Sequence, residues 1–169
     1  METFRFQQDC LIFGCGNPLF GDDGFGPAVI EYLETVCFLP PRTMALDVGT
    51  SIRDILFDII LSPDKPRQII IIDAVDLPDR DPGEIFEIDV DDIAPAKSAD
   101  YSLHQFPTTN MLKEIKEQTD IEVRLLAGQI TALPDEVAPG LSPELTRAVP
   151  QMAERVRATA AACLEASPA

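Results

Sequence analysis

Apolar and polar positions along this chain fall into two kinds of run. Short, wholly apolar stretches end in glycine or aspartate, and longer stretches repeat their apolar residues at helical spacing. Cys10-Leu-Ile-Phe-Gly-Cys15 is too brief for a helix and closes in glycines, which predicts a buried strand. Residues 27–38 place Val29, Leu33 and Val36 at helical spacing behind Pro27, which suits a first helical turn, and Pro40-Pro41 bars continuation. Thr43-Met-Ala-Leu-Asp-Val48 predicts a second strand closed by Gly49. Thr50 or Ser51 then caps a helix whose Ile52, Ile55, Leu56, Ile59 and Ile60 make one apolar face. The plainest strand is Gln68-Ile-Ile-Ile-Ile-Asp73, because four consecutive isoleucines demand burial on both faces, as in a parallel strand covered by helices.

The second half is more polar. Glu84-Ile-Phe-Glu-Ile-Asp-Val90 alternates only in part, and the Pro78–Gly83 connection is too short for a crossover helix, so an antiparallel edge strand is predicted. Residues 91–106 read as irregular. A helix over Thr108–Gln118, a last strand over Glu122–Ile130 and a long C-terminal helix opened by Ser142-Pro143-Glu144 complete the series. Alternating strands and helices predict an α/β fold. It is a three-layer α/β/α sandwich around a mostly parallel five-stranded sheet with one antiparallel edge strand. The 169 residues fit one domain over 1–169, without repeats or linkers.

Composition then narrows the function. Thirteen basic against twenty-nine acidic residues give a net charge of −16, which repels phosphate backbones and argues against nucleic acid as a partner. No apolar run approaches the ~18 residues of a membrane span, and the first residues lack the pattern of a signal peptide. A cytoplasmic protein with no membrane partner is expected. Cys10, Cys15, Cys37 and Cys163 form no Cys-x-x-Cys pair, and cysteines in apolar stretches read as small buried hydrophobes. His104 is the one histidine, which rules out a His-Glu-x-x-His motif and Cys/His fingers.

Candidate chemistry gathers at the strand ends. Asp22 and Asp23 follow the first predicted strand, Asp47 and Thr50 close the second, and Asp73 and Asp76 close the third. Open α/β sheets form their sites outside the carboxyl ends of the strands. Carboxylates crowded into one crevice repel, and a divalent cation relieves that repulsion. Gly14-Cys-Gly16-Asn-Pro-Leu19 carries the first two glycines of a dinucleotide fingerprint, but Leu19 stands at the third, and two aspartates follow where a pyrophosphate would lie. The glycines read instead as a tight turn that aims Asp22 and Asp23. Asp22 reads as a cap on the helix that follows. Asp47 either holds its own turn or faces substrate. Asp76, Asp79 and the acids of Asp89–Asp92 read as solvated. Neither Ser102 nor any cysteine has an evident base partner for nucleophilic chemistry.

The pattern Gly14-x-Gly-Asn-x-x-x-x-Asp-Asp-Gly-x-Gly26 resembles the hydrogenase maturation proteases. Four further segments fit in order: Asp47-Val-Gly-Thr-Ser51, Ile70-Ile-Ile-Asp73-Ala74, Ser102-Leu-His104 and Gly140-Leu-Ser142, so that the likeness spans about residues 11–160. The resemblance implies a metal-dependent, aspartic-type endopeptidase. It would trim the C-terminal extension of a nickel–iron hydrogenase large-subunit precursor after nickel insertion. It carries over Asp23, Asp73 and His104 as catalytic and metal-binding residues, and Asp47 and Thr50 as substrate-side residues. The implied metal is nickel delivered by the precursor, with another divalent ion able to substitute. Cleavage would follow a His or Arg just after the precursor's last metal-binding Cys motif. The overall look suggests the subgroup serving the deazaflavin-reducing hydrogenase of methanogens. A non-catalytic nickel-sensing or chaperone-like module is the alternative from another class. A peptidase of the spore germination type fits less well, given the Ser-x-His segment and the short chain.

Overall fold

A computed structural model describes residues 7–93 and 106–166. Five strands form one sheet: β1 (Cys10–Cys15), β2 (Thr43–Gly49), β3 (Gln68–Val75), β4 (Ile85–Ile88) and β5 (Glu122–Gln129). Four helices accompany them: α1 (Phe25–Val36), α2 (Ile52–Leu61), α3 (Phe106–Gln118) and α4 (Pro143–Glu165). The strand order is β2-β1-β3-β5-β4. β1 runs parallel to both β2 and β3, β3 runs parallel to β5, and β4 is the antiparallel edge. The predicted mixed sheet is therefore the one observed.

Alternation along the central strands divides the core into two layers. Ile12, Ile70 and Ile72 pack with Val29 and Leu33 of α1 and Met152 and Val156 of α4. Leu11, Phe13, Ile69 and Ile71 pack with Leu56 and Ile59 of α2 and Leu112 and Ile115 of α3 on the other face. Each apolar side chain so enclosed contributes roughly 1.5–3 kcal/mol relative to exposure. Every residue of β3 is buried, as the isoleucine run requires. Among the described residues no helix is long and apolar enough to cross a membrane.

Several boundaries differ from the sequence reading, each for a local reason. α1 starts at Phe25, because the 3-10 turn Gly21–Gly24 leads directly into it. β3 runs on through Asp73 to Val75, because β5 pairs with it as far as Gln129. Asp73 therefore lies within the strand. Ser51 stands at the start of α2 but makes no side-chain cap bond there. Ser142 does cap α4, its Oγ accepting from Leu145 N at 3.3 Å, with Pro143 in the first turn. The Asp89–Asp92 acids are not merely solvated: Asp89 accepts from Asp91 N at 2.9 Å, and Lys116 of α3 pairs with Asp89 and Asp91.

Candidate active site

β1 is the point where the chain order reverses, with β2 on one side and β3 on the other. Crevices at such points hold the ligands of open α/β sheets. The register fixes what meets there. Gly14 pairs with Asp47 of β2 on one side and Ile72 of β3 on the other, so one step further brings Cys15 alongside Asp73. The loop after β1 folds back over this edge.

That return needs glycine. Gly16 has φ +124°, and a Cβ there would lie 1.8 Å from the Asp23 carbonyl oxygen. At Gly26 a Cβ would lie 2.3 Å from the carbonyl oxygen of Cys15 and 2.7 Å from that of Ile72. The start of α1 thus sits directly on β1 and β3, and the acidic turn is pinned to the strand ends.

The adjacent aspartates then part in role. Asp22 is 1% exposed, its Oδ1 accepting from Ser142 N at 2.6 Å and its Oδ2 from Thr131 N at 2.9 Å. It does not cap α1, because neither the 3-10 turn nor α1 receives a side-chain cap bond. It fastens the 131–142 segment instead, alongside the backbone bonds from Gly21 N to Ala138 O and from Ala138 N to Leu19 O, both 2.9 Å. Asp23 is 9% exposed, and its Oδ2 accepts from Asn17 N at 2.8 Å. Asp73 is 4% exposed, and its Oδ1 accepts from Ala74 N at 2.7 Å.

Cys15 is buried at the same edge. Its buried thiol is held well above the ordinary thiol range, first by burial, then by the charges of Asp73, Asp47 and Asp23. Composition alone read this cysteine as a bland hydrophobe. The signal available was its position, one residue past the glycine at which the pattern of strand-end acids begins.

Asp47 is exposed at the end of β2, and its Oδ1 accepts from Gly49 N at 3.0 Å, so it does hold its own turn. Thr50 is exposed just beyond. Asp76 is tied down: Gln129, 3% exposed, donates from Nε2 to Asp76 Oδ1 at 2.9 Å and accepts from Leu77 N at the same distance. Gln129 escaped the sequence reading, although a polar residue closing the apolar end of β5 was its mark. His104 and Ser102 lie outside the described residues.

Two carboxylates supply hard oxygen donors suited to a divalent first-row ion. Among the described residues no three His, Cys, Asp or Glu side chains form a metal site by themselves. α3 begins at Phe106, two residues past His104, and packs on the sheet face that holds Cys15 and Ile71. Because it leads into the parallel strand β5, its first turn stands at the carboxyl edge.

Comparison with known proteins agrees with this architecture. The family described as HycI, hydrogenase maturation protease, matches residues 27–159. A Methanocaldococcus jannaschii protein, named as a candidate hydrogenase maturation protease, is 37% identical over 150 residues, covering 88% of this chain and 94% of that one. Coenzyme F420 hydrogenase subunit delta of Methanothermobacter thermautotrophicus is 30% identical over 154 residues, covering 89% and 94%. Among solved structures, the hydrogenase maturating endopeptidase HybD from Escherichia coli superposes with a TM-score of 0.72 at 25% identity, covering 90% and 91%. With a strand-end acid site on this fold, and a family match over most of its length, the chain belongs to the hydrogenase maturation proteases, peptidases that process hydrogenase precursors.

Proposed function

We propose that this enzyme is a metal-dependent endopeptidase that cuts the C-terminal extension from a nickel–iron hydrogenase large-subunit precursor once nickel is in place. Asp23, Asp73 and His104 complete the coordination of that nickel, which arrives with the substrate; another divalent ion can take its place. Held by these three residues, nickel would supply Lewis-acid polarisation of the scissile carbonyl and activation of a water. The chain's own contribution is placement. Asn17 N and Ala74 N each hold one oxygen of Asp23 and Asp73, which fixes the carboxylates on rigid backbone. Asp47 and Thr50 stand on the substrate side. The relative named coenzyme F420 hydrogenase subunit delta makes the large subunit of a coenzyme F420 hydrogenase the favoured precursor. The observation that carries this reading is that Asp23 and Asp73, 9% and 4% exposed, are both buried at the carboxyl edge beside β1, the switch point of the sheet.

The test is incubation with nickel-loaded precursor, followed by intact-mass measurement. Wild type should shorten the precursor, and His104→Ala should not. A His104→Ala variant that cleaves at the wild-type rate would remove His104 from the reaction. A wild type that binds precursor without ever shortening it would favour the nickel-sensing module instead. Metal analysis gives a second readout: a substrate-delivered ion predicts weak retention by the isolated enzyme. One zinc per chain surviving chelation would contradict that delivery.

A further inference from the structure

The sheet has two edge strands, and they are guarded differently. β4 is four residues long, and its Glu87 is tied to Arg124 and Arg155. Short edge strands and charged side chains keep other chains from adding to a sheet. β2, Thr43–Gly49, is seven residues long and holds no proline, lysine or arginine; its one charge, Asp47, lies near the carboxyl end. Among the described residues β1 is its one strand neighbour. The Arg42 carbonyl oxygen accepts from Asp9 N at 2.9 Å and from Cys10 N at 3.2 Å, so it faces β1. Backbone direction alternates along a strand. Met44 and Leu46 therefore bond to β1, while Thr43, Ala45 and Asp47 turn N–H and C=O away from it. No described residue bonds the outward backbone groups of these three.

Three features indicate the occupant. The first is the edge itself: alternating donors and acceptors are matched by an extended polypeptide, which supplies both along its backbone. The second is where β2 leads. Gly49 O accepts from Gly16 N at 2.9 Å, and a Cβ on Gly16 would lie 3.5 Å from Asp23 Oδ1. A chain lying along β2 therefore ends beside the acid proposed to act on it. The third is charge. A second copy of this chain is disfavoured as the added strand, because each copy carries −16. Met44 and Leu46 flank the edge, partly buried on the α2 face of the sheet. Side chains added beside them on that face gain most if they are apolar.

We propose that the free edge of β2 binds an extended segment of the precursor by strand addition. The inference rests on the reading above that a C-terminal extension is removed. In that reading the chain before the cut is held at the nickel, so the free length is the extension itself. It starts at the carboxyl edge and runs antiparallel to β2, from Asp47 towards Thr43. At ~3.3 Å per residue this stretch spans about 13 Å, room for about five residues of the extension. Those opposite Met44 and Leu46 are apolar.

The probe is a synthetic peptide of the precursor's C-terminal extension, added in excess to wild type, with amide exchange followed residue by residue by NMR. The Thr43, Ala45 and Asp47 amides should slow at least about fivefold, while those of Met44 and Leu46, already bonded to β1, should not change. In parallel, Ala45→Pro removes one outward donor and leaves the β1 ladder whole, as an edge strand tolerates. It should raise KM for nickel-loaded precursor about fivefold, as for one lost backbone hydrogen bond, and keep kcat within about twofold. Unchanged exchange at the three outward amides, or equal slowing at Met44 and Leu46, would overturn the proposal. A folded Ala45→Pro with wild-type KM would overturn it as well. If Ala45→Pro does not fold, the wild-type exchange pattern decides alone. Intact mass tests the peptidase reading separately. Wild type that shortens precursor without slowing at β2 keeps that reading and loses the edge. Wild type that never shortens precursor loses the reading, and the edge still stands or falls on the exchange pattern.

Discussion

The two ends of the sheet are built from similar residues and treat charge in opposite ways. At the amino end, carboxylates meet cations. Asp9 receives Arg42 through two bonds of 2.6 and 3.0 Å, and Glu122 receives both Gln68 Nε2 at 2.9 Å and Arg124 Nη1 at 3.3 Å. At the carboxyl end, Asp22 and Asp23 are buried and accept only backbone N–H groups among the described residues, with no ion pair. Burying a carboxylate without a counter-charge is costly unless every bond is well made. The first end is organised for stability. At the second, Asp22 and Asp23 are buried with no ion pair to a described residue, the kind of environment in which active sites keep charged groups for chemistry.

The largest effect should come from removing that charge. Asp23→Asn or Asp73→Asn keeps the shape and should lower precursor cleavage at least ~10²-fold, measured in single-turnover assays. Urea denaturation midpoints for Asp23→Asn should stay near wild type, because the amide oxygen still accepts from Asn17 N. A variant that loses activity only by unfolding would erase the difference between the two ends.

Displacing the turn comes next. Gly16→Ala pushes a methyl group into the Asp23 carbonyl oxygen at a φ that disfavours side chains. Cleavage should fall about 10²-fold, as expected for a site shifted by ~1 Å. A crystal structure of this variant should show the Gly21–Gly24 turn lifted from β1.

Asp22→Ala should act mainly on stability. It leaves Thr131 N and Ser142 N without their acceptor, and a loss of about 3 kcal/mol is expected by urea unfolding. Hydrogen exchange should rise over residues 131–142 before it rises in β3.

The smallest effect belongs to the amino end. The Arg42 guanidinium holds the Asp9 carboxyl below its ordinary range. A depressed carboxyl contributes stability that is present above its unfolded value, ~4, and is lost as pH falls through the lower folded value. Arg42→Gln should therefore shift the thermal midpoint slightly at neutral pH and hardly at all in strong acid, with cleavage unchanged.

These expectations also mark what the sequence could and could not disclose. The β3 strand was legible because four isoleucines admit one environment, and the antiparallel edge because the Pro78–Gly83 link is too short to cross over. The placement of Asp23 and Asp73 at one edge was legible because strand ends of parallel sheets face one way. The role of Asp22 was not, because its partners lie 109 and 120 residues along the chain and are backbone groups, which leave no mark in residue type. Gln129 left a mark as a polar residue closing β5, but its bond to Asp76 joins segments 53 residues apart that meet only after folding.

The central proposal is that Asp23 and Asp73 at the carboxyl edge act on a nickel-bearing substrate. Its most direct test is intact-mass measurement of one precursor prepared with and without nickel and incubated with wild type or Asp23→Asn. The account predicts shortening only for nickel-loaded precursor with wild type. Equal shortening of nickel-free precursor, or shortening by Asp23→Asn at the wild-type rate, would contradict it.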